Sequence, residues 1–126
     1  MVSSINALVG KALANSTNTQ GLTTGNNTII TGNGKDNIYV TGNNNKVYSG
    51  GGDDNIVVVG SNSIIDGGNG DNKITSTGNN SKIFTGYGQD NISSIGSGNQ
   101  IYSGGGDDNI SSIGSVNKIS SGSGND

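Results

Sequence analysis

One branched aliphatic residue recurs at a fixed interval along most of the chain, between short runs of Gly, Asn, Asp and Ser. The first series repeats every 18 positions and comprises Ile38, Ile56, Ile74, Ile92 and Ile110. The second series is displaced by nine positions and comprises Ile29, Val47, Ile65, Ile83, Ile101 and Ile119. A constant period of this length indicates a repeat protein, in which each copy buries its apolar residue against neighbouring copies.

Each half of the period reads as a turn followed by a short strand. Gly and Asn accept the positive φ angles that tight turns need, and β-branched residues favour strands. Residues one period apart then stack as parallel strands about 4.8 Å apart. The sequence therefore predicts an all-β, two-layer parallel β-solenoid with 18-residue coils over residues 25–126. The first coil is one residue short between Gly25 and Gly32, which leaves its register open.

Alternation along the strands predicts the remaining inward and outward positions. A further inward column is Val40, Val58, Ser76, Ser94 and Ser112. One outward column is Tyr39, Val57, Thr75, Ser93 and Ser111, and the other is Tyr48, Asp66, Phe84, Tyr102 and Ser120. The aromatic members of the second column either stack on a solvated sheet or form a lateral contact for another filament or a glycan.

The first 24 residues depart from the repeat. Residues 1–14 carry apolar residues at helical spacing after Ser3 and Ser4, which predicts a short amphipathic helix. This helix either caps the first coil or docks onto another copy or a cell-surface partner. Residues 15–24 are polar and irregular, so they form either a linker or a degenerate coil.

The composition excludes several classes of protein. With 28% hydrophobic residues, 24 Gly and no Pro in 126 residues, the chain cannot build an ordinary globular core, and stacked repeats are the alternative. The net charge of −3 and the scattered lysines count against nucleic-acid binding. No apolar run approaches the length of a membrane span. The chain has no His or Cys, and no Ser has an evident base beside it, so an enzyme is not expected.

The turn before the first aliphatic series has a motif of its own, Gly-x-Gly-x-Asp-x-Ile. Six copies occur in register, of which the third has Asn72 at the Asp position and the last ends at Asp126, before its Ile. This motif resembles the nonapeptide Gly-Gly-x-Gly-x-Asp-x-hydrophobic-x of the RTX, or hemolysin-type, calcium-binding repeats, which form a parallel β-roll. The resemblance covers Gly32–Asp126, about three-quarters of the chain.

The resemblance implies a column of calcium ions, about five in number, between successive turns at one edge of the solenoid. The implied carboxylate and amide ligands, called here the Asp column, are Asp36, Asp54, Asn72, Asp90, Asp108 and Asp126. The implied carbonyl ligands are those of Gly32, Gly34, Gly50, Gly52, Gly68, Gly70, Gly86, Gly88, Gly104, Gly106, Gly122 and Gly124. Calcium takes six to eight oxygen ligands, which suits these residue types. Asn72 lacks the charge, so weaker sites are expected on either side of it unless Asp71 compensates.

The other edge lacks the acidic residue. The equivalent positions, called here the Asn column, are Asn45, Ser63, Ser81, Asn99 and Asn117. Amides and hydroxyls can form a hydrogen-bonded ladder without metal. Calcium is therefore expected at one edge only, with folding that depends on the ion because the aliphatic columns bury little area.

The leading functional expectation is a calcium-binding, extracellular structural protein that associates end to end into a filament, surface layer or matrix. The alternative is a calcium-dependent folding and spacer module of a larger secreted toxin, protease or adhesin of the RTX type. A remote alternative is an ice-binding solenoid, which is disfavoured because its candidate row is mixed: Thr41, Val59, Thr77, Ile95 and Ile113.

Overall fold

Two parallel sheets face each other in a computed structural model of the chain. The structure describes residues 25–126 throughout, and of the first 24 residues it describes the backbone of Leu8–Val9 and Asn18–Leu22. The strands are β1 (Leu8–Val9), β2 (Asn18–Leu22), β3 (Thr28–Asn33), β4 (Asp36–Thr41), β5 (Lys46–Gly51), β6 (Asn55–Val59), β7 (Ile64–Asp66), β8 (Lys73–Thr77), β9 (Lys82–Phe84), β10 (Asn91–Ile95), β11 (Gln100–Tyr102), β12 (Asn109–Ile113) and β13 (Lys118–Ser120).

The odd-numbered strands form one sheet, in the order β1-β3-β5-β7-β9-β11-β13, and the even-numbered strands β2 to β12 form the other. All pairs are parallel, and from β2 onward partners lie one period apart, as Ile38 and Ile56 do. Each coil thus contributes one strand to each sheet. The predicted two-layer parallel β-solenoid with 18-residue coils is confirmed.

The predicted shortening of the first coil is wrong. Thr28 pairs with Lys46, and the Asn26 N–H donates to the Asn43 carbonyl at 2.8 Å. Gly25 therefore stands one period before Asn43 and not before Gly42, and the 18-residue register holds from Gly25 onward.

The N-terminal predictions fall largely outside the described residues. Leu8–Val9 form a strand on β3, with Leu8 opposite Ile29, so these two residues do not belong to the helix predicted over 1–14. The N–H and C=O groups at the edge of β3 can form hydrogen bonds with an extended segment, whereas a helix would not use them. The other residues of that predicted helix lie outside the described part. Within 15–24, Asn18–Leu22 pair with β4 one period ahead.

The core is a thin double column of aliphatic side chains. Both predicted inward series are buried, with exposures of 0–2%, except at the last coil. There Ile110 is only partly buried and Ile119 is 48% exposed, because β13 has a neighbour on one side only. The further inward column is buried through Val40, Val58, Ser76 and Ser94. The prediction of which side chains point inward is therefore correct. The inward residues of the last coil are less buried because no further coil stacks on them.

The outward aromatic residues contact each other along the sheet. The rings of Phe84 and Tyr102 are stacked, with centroids 5.2 Å apart and planes 8° apart. Lys118 Nζ lies 6.0 Å from the Tyr102 ring centroid. Stacking on a solvated sheet accounts for these two rings, and the lateral contact remains a prediction. No helix in the described residues is long and apolar enough to span a membrane.

Candidate metal column

Stacked glycines form the turns at the edge that carries the Asp column. Gly50 and Gly52 have φ angles of 91° and 115°, which side chains rarely adopt. A Cβ on either residue would overlap the carbonyl oxygen of Gly32 or Gly34 in the preceding coil. The same overlap would occur at the opposite edge, for instance at Gly60 against Gly42. Close stacking therefore requires these glycines at both edges, so the glycines alone do not distinguish a metal site.

The Asp column is buried along its length up to the last coil. Asp36, Asp54, Asn72, Asp90 and Asp108 are at most 5% exposed, whereas Asp126 is exposed. The structure thus brings the predicted side chains into one line. Burial of so many carboxyl groups needs an explanation, because a buried charge without compensation is costly.

Part of that compensation comes from the backbone. From Asp54 onward, one carboxylate or amide oxygen of each member accepts the backbone N–H of the member one coil earlier. The distances are 2.8 Å from Asp36 N to Asp54 Oδ1, 3.1 Å from Asp54 N to Asn72 Oδ1, 2.9 Å from Asn72 N to Asp90 Oδ1, 2.9 Å from Asp90 N to Asp108 Oδ1 and 3.0 Å from Asp108 N to Asp126 Oδ1. This ladder was predicted only for the Asn column, and it gives the Asp column a structural role in addition to any ligand role.

The second oxygen of three of these carboxylates has no such partner. The Oδ2 atoms of Asp54, Asp90 and Asp108 are buried and accept no hydrogen bond. Burial raises the pKa of Asp54 to about 6, against the opposing effects of the Ser49 hydroxyl and the Asp36 N–H. Burial also raises the pKa of Asp90. The Asp column therefore holds carboxylates whose second oxygen accepts no well-aligned hydrogen bond, although the Ser49 hydroxyl opposes the rise of the Asp54 pKa and the Thr85 hydroxyl and the Asn72 side chain oppose that of the Asp90 pKa.

The Asn72 side chain indicates what lies in front of the second terminal atom, Oδ2 or Nδ2, of each side chain in the Asp column. Its Nδ2 donates to the carbonyl oxygens of Gly70 and Gly68, at 3.0 and 3.3 Å. Asn72 Oδ1 accepts an N–H in the same way as the Asp oxygens do, so Nδ2 marks the place that Oδ2 takes in the Asp coils. By analogy, Oδ2 in the Asp coils would face carbonyl oxygens, and acceptors repel each other unless a cation or a proton lies between them.

The opposite edge carries amide and hydroxyl groups in place of the carboxylates. The Asn column forms the predicted ladder: Asn27 N donates to Asn45 Oδ1 at 3.0 Å, and Ser81 N donates to Asn99 Oδ1 at 2.8 Å. The amides also satisfy carbonyls, as Asn45 Nδ2 does with Gly42 O at 2.6 Å. The two edges have similar ladders of backbone N–H groups bonded to side-chain oxygens. At the Asp edge, however, the ladder leaves buried carboxylate oxygens that accept no hydrogen bond.

A column of hydroxyl groups beside the Asp column was missed in the sequence. Its members, called here the hydroxyl column, are Thr31, Ser49, Thr85, Ser103 and Ser121. The first four are buried and donate to a carbonyl of the next coil, as Ser49 Oγ does to Gly67 O at 3.0 Å. Each stands five residues before an Asp, and only the coil of Asn72 has a Gly at this position, Gly67. This spacing of Ser or Thr and Asp is visible in the sequence and could have predicted the hydroxyl column.

The acidic residues next to the Asp column do not join it. Asp53, Asp71 and Asp107 are exposed, and each accepts a backbone N–H one coil later, such as that of Gln89 to Asp71 Oδ1 at 2.8 Å. Within the described residues, no group of three or more His, Cys, Asp or Glu side chains could hold a metal by itself. An ion at this edge would therefore need backbone carbonyls or hydroxyls among its ligands.

No protein-family model, no curated protein and no solved structure matches this chain.

Proposed function

We propose that the chain is a calcium-stabilised β-solenoid whose Asp column, with the adjoining glycine carbonyls, binds Ca²⁺ between coils. One observation carries the proposal: the buried second oxygens of Asp54, Asp90 and Asp108 lack partners, whereas Asn72 fills the same position with an amide donor. A cation would supply at the Asp coils what the amide supplies at Asn72. The resemblance of the turns to RTX repeats supports the same conclusion.

The available ligands favour calcium over other metals. All of them are hard oxygen atoms from carboxylates, carbonyls and hydroxyls, and the chain contains no His or Cys for softer metals. Calcium accepts six to eight such oxygens in flexible geometry, whereas magnesium prefers a strict octahedron that retains water. A site assembled from two stacked turns suits the larger and less demanding ion.

Calcium binding would be coupled to folding. Oxygen atoms of successive coils come together only when the coils stack, so the binding free energy is gained by the folded state alone. Extracellular calcium modules work with dissociation constants of about 10⁻⁴–10⁻³ M, far above cytosolic calcium. We therefore place the folded protein outside the cell, where it serves a structural and not a catalytic role.

A calcium titration followed by far-UV circular dichroism tests this proposal. We expect β-structure to appear with calcium and to be lost in chelator, while magnesium at the same concentration has a much smaller effect. Asp54→Asn should gain less stability from calcium than the wild type gains, and the neighbouring Asp53→Asn, which loses the same charge on the surface, should behave like the wild type. Identical spectra in calcium and chelator would contradict the proposal.

End-to-end association is a second proposal, supported by the last coil. Ile113, Val116 and Ile119 are 62%, 90% and 48% exposed there, and the outer edges of β12 and β13 have no neighbour in the described structure. Another coil on this edge would cover part of these residues and pair the open strands. We propose that a second copy supplies it, and repetition of such a contact builds a filament, layer or matrix.

The same edge suits the next coil of a larger secreted protein of the RTX type. Negative-stain electron microscopy in calcium and in chelator distinguishes the two arrangements. Fibres that form only in calcium support association between copies, and small uniform particles in calcium favour a module of a larger protein. The outward row from Thr41 to Ile113 mixes hydroxyl and aliphatic residues, so ice binding is not proposed.

A further inference from the structure

We infer that Asn72 divides the calcium column into two separate groups, one at Asp36 and Asp54 and the other at Asp90, Asp108 and Asp126, with no ion on either side of Asn72. This inference rests on the proposed function and adds to it how the ions are distributed. A continuous column would hold about five ions, one between each pair of neighbouring coils.

The first argument is the direction of the Asn72 amide. Nδ2 donates hydrogen bonds to Gly68 O and Gly70 O, the carbonyls that a calcium ion in this coil would use. A carbonyl oxygen has two lone pairs, and Gly68 O also accepts the Gly86 N–H at 2.8 Å, so the amide hydrogen takes the place that a cation would need. Asn72 thus closes the site that its Asp counterparts leave open.

The second argument is the loss of the hydroxyl in the same coil. Gly67 replaces the Ser or Thr that precedes every Asp of the column. Gly67 is buried, and a Cβ there would lie 3.1 Å from Ile74 Cδ1 and 3.3 Å from Asn72 Cγ. Ile74 and Asn72 fill the volume that the hydroxyl side chain occupies elsewhere. Two potential oxygen ligands are therefore absent from this coil together.

The third argument is that no neighbouring carboxylate restores the charge. Asp71 is exposed and its Oδ1 is bound to the Gln89 N–H. Asp66 lies on the outer face of β7, and its Oδ1 accepts the Gly68 N–H at 3.0 Å. Asp71 is therefore not placed to compensate for the missing charge of Asn72, and weaker sites beside Asn72 remain the expectation.

The division has an electrostatic consequence. Ions in adjacent sites of a continuous column would lie about 4.8 Å apart, where dications repel strongly. The gap leaves roughly 14 Å, or three coil spacings, between the ion at Asp36 and Asp54 and the first ion beyond Asp90. That separation exceeds the Debye length of about 8 Å at physiological ionic strength. The two groups should therefore load independently.

Native mass spectrometry of the full chain, titrated with calcium, counts the bound ions directly. We expect about three in the wild type: one between Asp36 and Asp54 and two among Asp90, Asp108 and Asp126. Asn72→Asp should raise the count by one or two. Asn80→Asp places the same new charge at an exposed position on the opposite edge and should leave the count unchanged.

A second variant covers the case in which Asn72→Asp fails to fold. Asp90→Asn copies an amide geometry that the fold already accommodates at Asn72. In a divided column it removes one ion, the one between Asp90 and Asp108. In a continuous column it would remove two, because Asp90 would also serve the site towards Asn72.

The outcomes separate this inference from the function on which it rests. About five ions in the wild type, or a loss of two in Asp90→Asn, would overturn the division but leave calcium binding intact. Binding of no ions by the wild type would overturn both. About three ions, raised by Asn72→Asp and not by Asn80→Asp, would establish the division.

Discussion

Replacing Asp54 by Asn should change the stability of the solenoid in opposite directions with and without calcium. The substitution keeps the oxygen that accepts the Asp36 N–H at 2.8 Å and exchanges the unpartnered Oδ2 for an amide donor. In chelator the variant should be more stable than the wild type, because the introduced amide can bond the glycine carbonyls of its coil as Asn72 does. In calcium it should be less stable, because an ionic ligand is lost.

The size of the effect in chelator follows from burial. The pKa of Asp54 rises from 3.8 to about 6, and one pKa unit corresponds to about 1.4 kcal/mol, so the ionised form costs the folded state at most about 3 kcal/mol. The new amide hydrogen bonds add about 1 kcal/mol each, and amide desolvation offsets part of this gain. We expect a net stabilisation of about 1–3 kcal/mol. In saturating calcium, a tenfold to hundredfold weaker site costs about 1–3 kcal/mol.

Circular dichroism measures both effects: urea unfolding in calcium, and refolding by an osmolyte such as trimethylamine N-oxide in chelator. Asp53→Asn is the matched control, since Asp53 is adjacent, exposed and also uses Oδ1 to accept a backbone N–H. If the two variants shift the midpoints alike under both conditions, the unpartnered oxygen of Asp54 has no special role and the reasoning fails.

Three further predictions concern pH, packing and turn strain. In chelator, the solenoid should become more stable as the pH falls from about 6 to about 4, because folded Asp54 takes up its proton at a higher pH than the unfolded group, whose pKa is 3.8. Osmolyte refolding midpoints measured at several pH values check this. Midpoints that stay constant, or that move the other way, would contradict it. Ile65→Ala, at a fully buried position, should lower the free energy of unfolding in urea by about 2–4 kcal/mol. Ile119→Ala, at a position that is 48% exposed, should lower it by less than about 1 kcal/mol. Equal losses in the two variants would show that the aliphatic columns do not stabilise the coils as described. Val116→Asn should stabilise the folded chain by about 1 kcal/mol and so raise its melting temperature, because Val116 has a φ of 61° where the other coils place Asn or Gly. An unchanged or lowered melting temperature would argue against strain in this turn.

The sequence was sufficient for the architecture because one spacing determines most of it. Once residues 18 apart are stacked, alternation along each strand assigns Ile56 to the core and Val57 to the surface without further information. Residue type does not give the register of the first coil, because Gly25 resembles Gly42 whereas strand pairing sets it opposite Asn43. Residue type misleads where a repeat is degenerate.

The details of the candidate site depended on three-dimensional contacts. The positions of the Asp column could be read from the sequence, but the backbone ladder on Oδ1, and hence the isolation of Oδ2, could not. At Leu8–Val9, helical spacing of apolar residues was a local signal, and pairing with β3 is a non-local one that such spacing cannot detect. The hydroxyl column differs, because the pairing of Ser49 with Asp54 and of Gly67 with Asn72 is visible in the sequence.

Anomalous diffraction from crystals grown in calcium would test the calcium column most directly. We expect anomalous peaks about 2.3–2.6 Å from the Oδ2 atoms of Asp54, Asp90 and Asp108, and no peak in front of the Gly68 and Gly70 carbonyls beside Asn72. Well-ordered Asp side chains with no anomalous density beside them would contradict the assignment of calcium to this edge.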